Sequence, residues 1–157
     1  MTNLTDMIKE RLGDYIYDAI GGTVSTDWNI RVTAADTMPI STIKFEPIKW
    51  RDEVYGMKMS STQDGSLVDI TFSIFLYNKI ERDYEDKFSI DSELMDYADT
   101  IIDYLIDKSG DSSEKTTYKI NRIYNIGCDE IIIKSSDRSR GVNGIIITGI
   151  IEAVWDD

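Results

Sequence analysis

Two residue pairs in this 157-residue chain have the spacing of a serine nucleophile and a lysine base: Ser41 with Lys44, and Ser112 with Lys115. That chemistry needs a desolvated lysine amine beside the serine hydroxyl, usually one helical turn away. The first pair lies in an alternating strand-like segment, where an offset of three places side chains on opposite faces. The second lies in the polar stretch from Ser109 to Thr116. Both read as chance matches without companion motifs. The chain has no histidine, which removes the usual general base near neutral pH and the serine–histidine and cysteine–histidine schemes. Cys128 is the only cysteine. No disulfide within the chain and no Cys/His zinc site can form, and Cys128 reads as a small buried residue. Asp99, Asp103 and Asp107 recur every four residues, but hard-cation sites draw oxygen ligands from several segments, so they read as a solvated helix face. Gly141 to Gly144 reads as turn glycines and not as a phosphate loop. The sequence therefore assigns no catalytic, cofactor-binding or metal-ligating residue, and the chain is expected not to be an enzyme.

The composition narrows the partners. Asp and Glu total 29 against 17 Lys and Arg, a net charge of −12. Phosphate binding needs clustered cations, so broad nucleic-acid or anionic-membrane binding is not expected. A hydrophobic content of 41% argues for a folded chain, and the length predicts a single domain over residues 1–157. No apolar run is long enough to span a bilayer, and the N-terminus lacks the basic-then-apolar order of a secretion signal. An intracellular chain is expected, with no small-molecule substrate. Against this acidic background, Arg138 and Arg140 stand on a polar turn between two β-rich segments, a candidate contact surface.

The elements that would position these residues follow from periodicity. Leu4, Ile8, Leu12, Tyr15 and Ala19 recur at helical steps over 3–20, and Gly21-Gly22 ends that helix. Strands are predicted at Trp28–Thr33 and at Ile40–Glu46. In the latter, Ser41, Ile43 and Phe45 face one way and Thr42, Lys44 and Glu46 the other. Residues 49–77 read as a long hairpin turning at Gln63-Asp64-Gly65. Its second arm places Val68, Ile70, Phe72, Ile74 and Leu76 on one face, with Phe75 and Tyr77 interrupting the polar face, which implies cover there. A second helix over Ser92–Lys108 buries Leu94, Ala98, Ile101, Ile102 and Leu105. Thr117–Tyr124 reads as a strand with Tyr118, Ile120 and Arg122 opposite Lys119 and Ile123. Asn125–Gly127 reads as a turn. Cys128–Lys134 and Gly144–Trp155 read as the last strands, and the final one, apolar on both faces, should be central or covered on both sides. The fold class is α+β: a mainly antiparallel sheet with two amphipathic helices packed on it and a protruding hairpin.

This order resembles the tail-terminator proteins of long-tailed bacteriophages and related prophages, also called tail-completion or minor tail proteins. The amphipathic helix Leu4–Ala19, the strand ending IKFEP, the strand VDITFSIFLY, the helix ELMDYADTIIDYL and the closing CDEIIIKSSDRSRGVNGIIITGIIEAVW carry the resemblance. It implies a structural virion protein at the tail or neck, assembled in the host cytoplasm. It implies a ring of this chain, hexameric in that family, which caps the tail tube, stops its polymerisation and joins a neck or head-completion protein. DNA would pass non-specifically through the lumen. On this reading Tyr55, Met57 and Met59 on the hairpin arm, with Phe75 and Tyr77, contact neighbouring subunits. Arg138 and Arg140 meet acidic groups of a subunit or of the tube. Two other readings remain open at this point: an acidic DNA mimic or regulatory binding protein, and a neck or head–tail connector component.

Overall fold

Ile8, Leu12, Tyr15 and Ile16 close one face of a 17-residue helix, α1 (Leu4–Ile20), and all are buried. Their three- and four-residue spacing makes the stripe that seeks a core. Gly21 and Gly22 follow with φ of 68° and 78°, the left-handed region in which glycine carries no Cβ penalty. Gly21 N–H donates to the Tyr17 carbonyl at 2.8 Å and closes the last turn. Gly22 is required on a second ground, because a Cβ there would strike the Pro39 carbonyl.

The computed structural model describes residues 4–26, 39–47, 49–50, 65–77, 92–108, 118–134 and 141–156. After α1 come β1 (Thr23–Ser25), β2 (Ile40–Phe45), β3 (Lys49–Trp50), β4 (Gly65–Tyr77), α2 (Ser92–Ile106), β5 (Tyr118–Lys134) and β6 (Gly141–Asp156). The strands form one six-stranded sheet in the order β1-β2-β4-β6-β5, with β3 beside β4 next to β2. Only β1 with β2 is parallel. The fold is α+β, as the periodicities predict. The strand expected at Trp28–Thr33 lies outside the described residues, as do the hairpin arm carrying Tyr55, Met57 and Met59 and the turn carrying Arg138 and Arg140. β1 is a strand that the sequence reading did not contain.

Both helices cover one face of the sheet. The core joins the α1 stripe and Leu94, Ala98, Ile101 and Leu105 of α2 to Val68, Ile70, Phe72, Ile74 and Leu76 of β4. Ile102 is only partly buried against it. Ile145, Ile147, Ile151 and Ala153 extend this face across β6, and Tyr118, Ile120 and Ile123 across β5. Each such aliphatic or aromatic side chain contributes about 1.5–3 kcal/mol of transfer free energy when fully buried. β6 lies between β4 and β5 along its length, the central place its two-sided apolar pattern predicts.

β5 departs from the sequence reading. It is one continuous 17-residue strand and not two strands joined by a turn. Its pairing with β6 shifts between Ile120 and Arg122 and again between Tyr124 and Gly127. Each shift inserts one extra residue, and Asn125 sits in the second with φ 56°. The residues that suggested a turn make a bulge. The first shift also moves Arg122 off the Ile120 face. Ile120 and Ile123 point to the core, while Arg122 is exposed beside Glu152.

Candidate functional site

The second face of the sheet carries no described helix. Its residues follow from the registers. Lys44, Ser73, Thr148 and Gly127 form one row across β2, β4, β6 and β5; Thr71, Ile150 and Tyr124 form the next; Asp69, Glu152 and Arg122 the third. Lys119 lies beyond them, opposite Val154. The floor of this outer face is half-buried at Asp69, Thr71, Ser73, Ile146 and Ile150, and Lys44, Lys119 and Arg122 are exposed around it.

A polar network braces the third row. Arg122 Nε donates to Glu152 Oε2 at 3.1 Å, and a second guanidinium nitrogen lies 3.1 Å from the same oxygen. The Glu152 side chain is only 12% exposed, so its carboxylate is shielded while the arginine, 53% exposed, reaches solvent. The guanidinium also stands 4.1 Å over the Tyr124 ring, and the Tyr124 hydroxyl donates to Asp69 Oδ1 at 3.4 Å. The contacts tie β5, β6 and β4 together on this face. An exposed ion pair adds little stability by itself, about 0–1 kcal/mol. Its structural effect is to hold the guanidinium flat on an aromatic ring.

One end of the outer face is closed. Ile40, Thr42, Phe75 and Tyr77 are all buried, and the Phe75 and Tyr77 rings stand 5.0 Å apart. Phe75 also lies over Gly144, where a Cβ would come within 2.7 Å of its ring. Phe75 and Tyr77, expected at subunit contacts, are 2% and 0% exposed in the single chain.

The opposite side of the molecule is acidic. On α1, Asp6, Glu10, Asp14 and Asp18 follow one another at steps of four and are exposed; on α2, Asp96, Asp99, Asp103 and Asp107 are exposed. The helices are joined by the tilted Tyr15–Tyr104 pair, with centroids 6.0 Å apart, and by the Tyr104 hydroxyl donating to Asp18 Oδ2 at 3.3 Å. The bases of this layer lie back against aromatic rings: Lys9 over Phe45, Arg11 over Tyr15, and Lys108 4.7 Å over Tyr104. The carboxylates are left as its outermost charges. Glu10, Gly13, Asp14, Tyr17, Gly22, Val24 and Thr26 line an open cleft of about 410 Å³ between α1 and β1. Three large hydrophobic side chains are exposed among the described residues, Tyr17 (60%), Met95 (40%) and Ile106 (54%), and all are helical.

The residues singled out for chemistry do not converge. Ser41 is buried on the helix side of β2 while Lys44 is exposed on the other, so the pair is separated as the strand period requires. Ser41 Oγ finds no hydrogen-bond partner among the described residues. Cys128 is exposed, contrary to the buried small residue expected. It lies on the helix side of β5, opposite Ile147, at the outer edge of the sheet. Asp99, Asp103 and Asp107 form the solvated face that their spacing implies. Among the described residues no group of three or more cysteine or carboxylate side chains is placed to hold a metal ion, and no helix is long and apolar enough to cross a membrane. The Arg122–Tyr124–Asp69–Glu152 network was missed by sequence reasoning, because it depends on a bulge and on three strands distant in sequence. Comparison with known protein families and with curated protein sequences finds no match.

Proposed function

We propose that this chain is a structural virion assembly protein of the tail-terminator kind: a ring that caps the phage tail tube, stops its growth and joins it to the neck. The supporting observation is architectural. Two amphipathic helices cover one side of a mainly antiparallel sheet that closes on a long β5–β6 hairpin, and the other side presents a broad outer face of small polar and apolar residues. A sheet with a helical back suits lateral packing into a closed assembly, because each subunit then offers two different faces. A net charge of −12 suits a lumen through which DNA slides without adhering. The partners on this reading are further copies of the chain, the tail-tube protein and a neck or head-completion protein.

The test is the mass and shape of the pure protein across concentration, by light scattering and negative-stain imaging. Rings of about six subunits with an open centre are expected. Solid particles or a stable two-fold dimer would remove the reading.

A second reading has its own observation. The exposed carboxylates of α1 and α2 run side by side, a charge pattern suited to a basic nucleic-acid-binding partner. An acidic DNA mimic would bind such a partner tightly, with an affinity falling steeply as salt rises.

A further inference from the structure

We infer that the outer edge of β5 pairs with the same edge of a second copy, antiparallel and about a two-fold axis at Ile132. The inference does not depend on the ring reading and adds a contact to it.

β5 is the last strand of the sheet, and among the described residues it is strand-paired only with β6. The other edge of such a strand offers a row of backbone N–H and C=O groups, which proteins normally blunt with bulges, prolines or charges. On β5 that protection is confined to the first half. Both bulges fall before Gly127, and Lys119 and Arg122 stand exposed in the same half. From Gly127 to Lys134 the register with β6 runs without a shift, and the sequence GCDEIIIK holds no proline. This half also outruns the rest of the sheet. Among the described residues the β4–β6 ladder ends at Tyr77 with Gly144, whereas β5 and β6 remain paired through Ile132, Ile133 and Lys134. Two strands alone are marginal in water, and a third makes such a ribbon stable. Three consecutive isoleucines, Ile131 to Ile133, place a β-branched residue on each face of the ribbon.

Register and charge select the occupant. In an antiparallel ladder two opposed residues either both exchange backbone hydrogen bonds or both do not. The backbone groups that face away from β6 alternate along β5, so two copies can oppose only residues an even number apart. Within Gly127–Lys134, one such register brings unlike charges together. Centred on Ile132, it opposes Glu130 to Lys134 twice, Ile131 to Ile133 twice and Ile132 to itself. Centred on Asp129, Glu130 or Lys134, the ladder would oppose like charges, which destabilise a strand pair where unlike charges stabilise it. The segment reads acid, three isoleucines, base, so its complement in an antiparallel partner is the segment itself. A two-fold contact of this kind closes on itself. It makes a pair of single chains, or joins two rings.

Three variants test the register: Glu130→Lys, Lys134→Glu, and one chain carrying both exchanges. Circular dichroism should report the same fold for all, and sedimentation equilibrium across concentration reads the mass. Unmodified protein should associate by twos. Each single exchange opposes like charges twice and should weaken the pairing about tenfold. The equimolar mixture of the two single exchanges, and the chain carrying both, oppose unlike charges again and should recover it. A cysteine tests the axis. In a Cys128→Ser background, Ile132→Cys should link two chains on mild oxidation, because opposed Cβ atoms lie about 4.5–5.5 Å apart. Native Cys128, four residues from the axis, should not link. Unmodified protein that never doubles overturns the pairing. So do single exchanges that associate as the unmodified protein does, a mixture that fails to recover their loss, or a doubled Ile132→Cys protein that does not link. Six-subunit rings that remain single overturn the pairing and leave the ring reading standing. A dimer of two chains that goes no further keeps the pairing and removes the ring.

Discussion

Replacing Gly149 with alanine tests how closely the core is packed. A Cβ there would lie 2.6 Å from Cζ and 2.9 Å from Cε1 of Phe72, closer than carbon atoms approach without movement. The expected cost is about 1–3 kcal/mol, the usual range for inserting a methyl group into a filled core. Chemical denaturation should show a smaller cost for the same change in a Phe72→Leu background, where the ring is absent. An equal cost in both backgrounds would place the strain elsewhere. Side chains were legible in the sequence wherever alternation or helical spacing continued unbroken. Ser41 and Lys44 lie on opposite faces for that reason, and Ile8, Leu12 and Tyr15 share one. Arg122 was misplaced because a single extra residue, Asn121, reverses the alternation after Ile120. Nothing in the composition of Asn121 marks it as inserted; the insertion exists only relative to β6.

At the scale of elements, α1, α2, β2 and β4 were legible because their periods are local. β5 was not. Asn125 and Gly127 tolerate the backbone angles of a turn, and a bulge uses the same angles, so only the partner strand separates the two. Asn125 at φ 56° gives the element a testable weak point. Asn125→Val should destabilise the chain by roughly 1–2 kcal/mol, the penalty of a left-handed backbone for a residue with a crowded Cβ. Asn125→Gly should leave stability within a few tenths of that baseline or raise it slightly. Thermal unfolding of the two variants decides the matter: equal loss in both would mean that the asparagine side chain, and not the backbone angle, holds the bulge. β1 escaped notice because three residues are too few to show any period, and its pairing with β2 depends on the turn at Gly21-Gly22.

For the whole molecule, the distribution of charge matters more than its sum. Carboxylates dominate the helical side, and the outer sheet face balances its acids with Lys44, Lys119 and Arg122. The screening length falls from about 30 Å at 0.01 M salt to about 8 Å at 0.15 M and about 3 Å at 1 M. On the proposed ring reading, self-association should therefore strengthen as salt screens the repulsion of net charge −12. Light scattering across that range measures it, and a fall at the highest salt would indicate a contact held by close pairs of unlike charge. Charge totals were legible in the sequence; the two-sidedness was not, because it requires both helices on one face. Another whole-chain consequence lies in the two aromatic–glycine contacts of the β4–β6 ladder. β6 presents Ile145, Ile146, Ile147, Ile150 and Ile151, so sliding it four residues along β4 would exchange isoleucine for isoleucine at two places, Ile147 with Ile151 and Ile146 with Ile150. Gly149 under Phe72 and Gly144 under Phe75 remove that degeneracy. They stand on opposite faces and five positions apart, like two notches cut at different depths on a key. A slipped ladder would drive a ring into a branched side chain above the sheet, below it, or both. Two residues without side chains thereby select one alignment for a strand pair whose hydrophobicity alone would accept more than one.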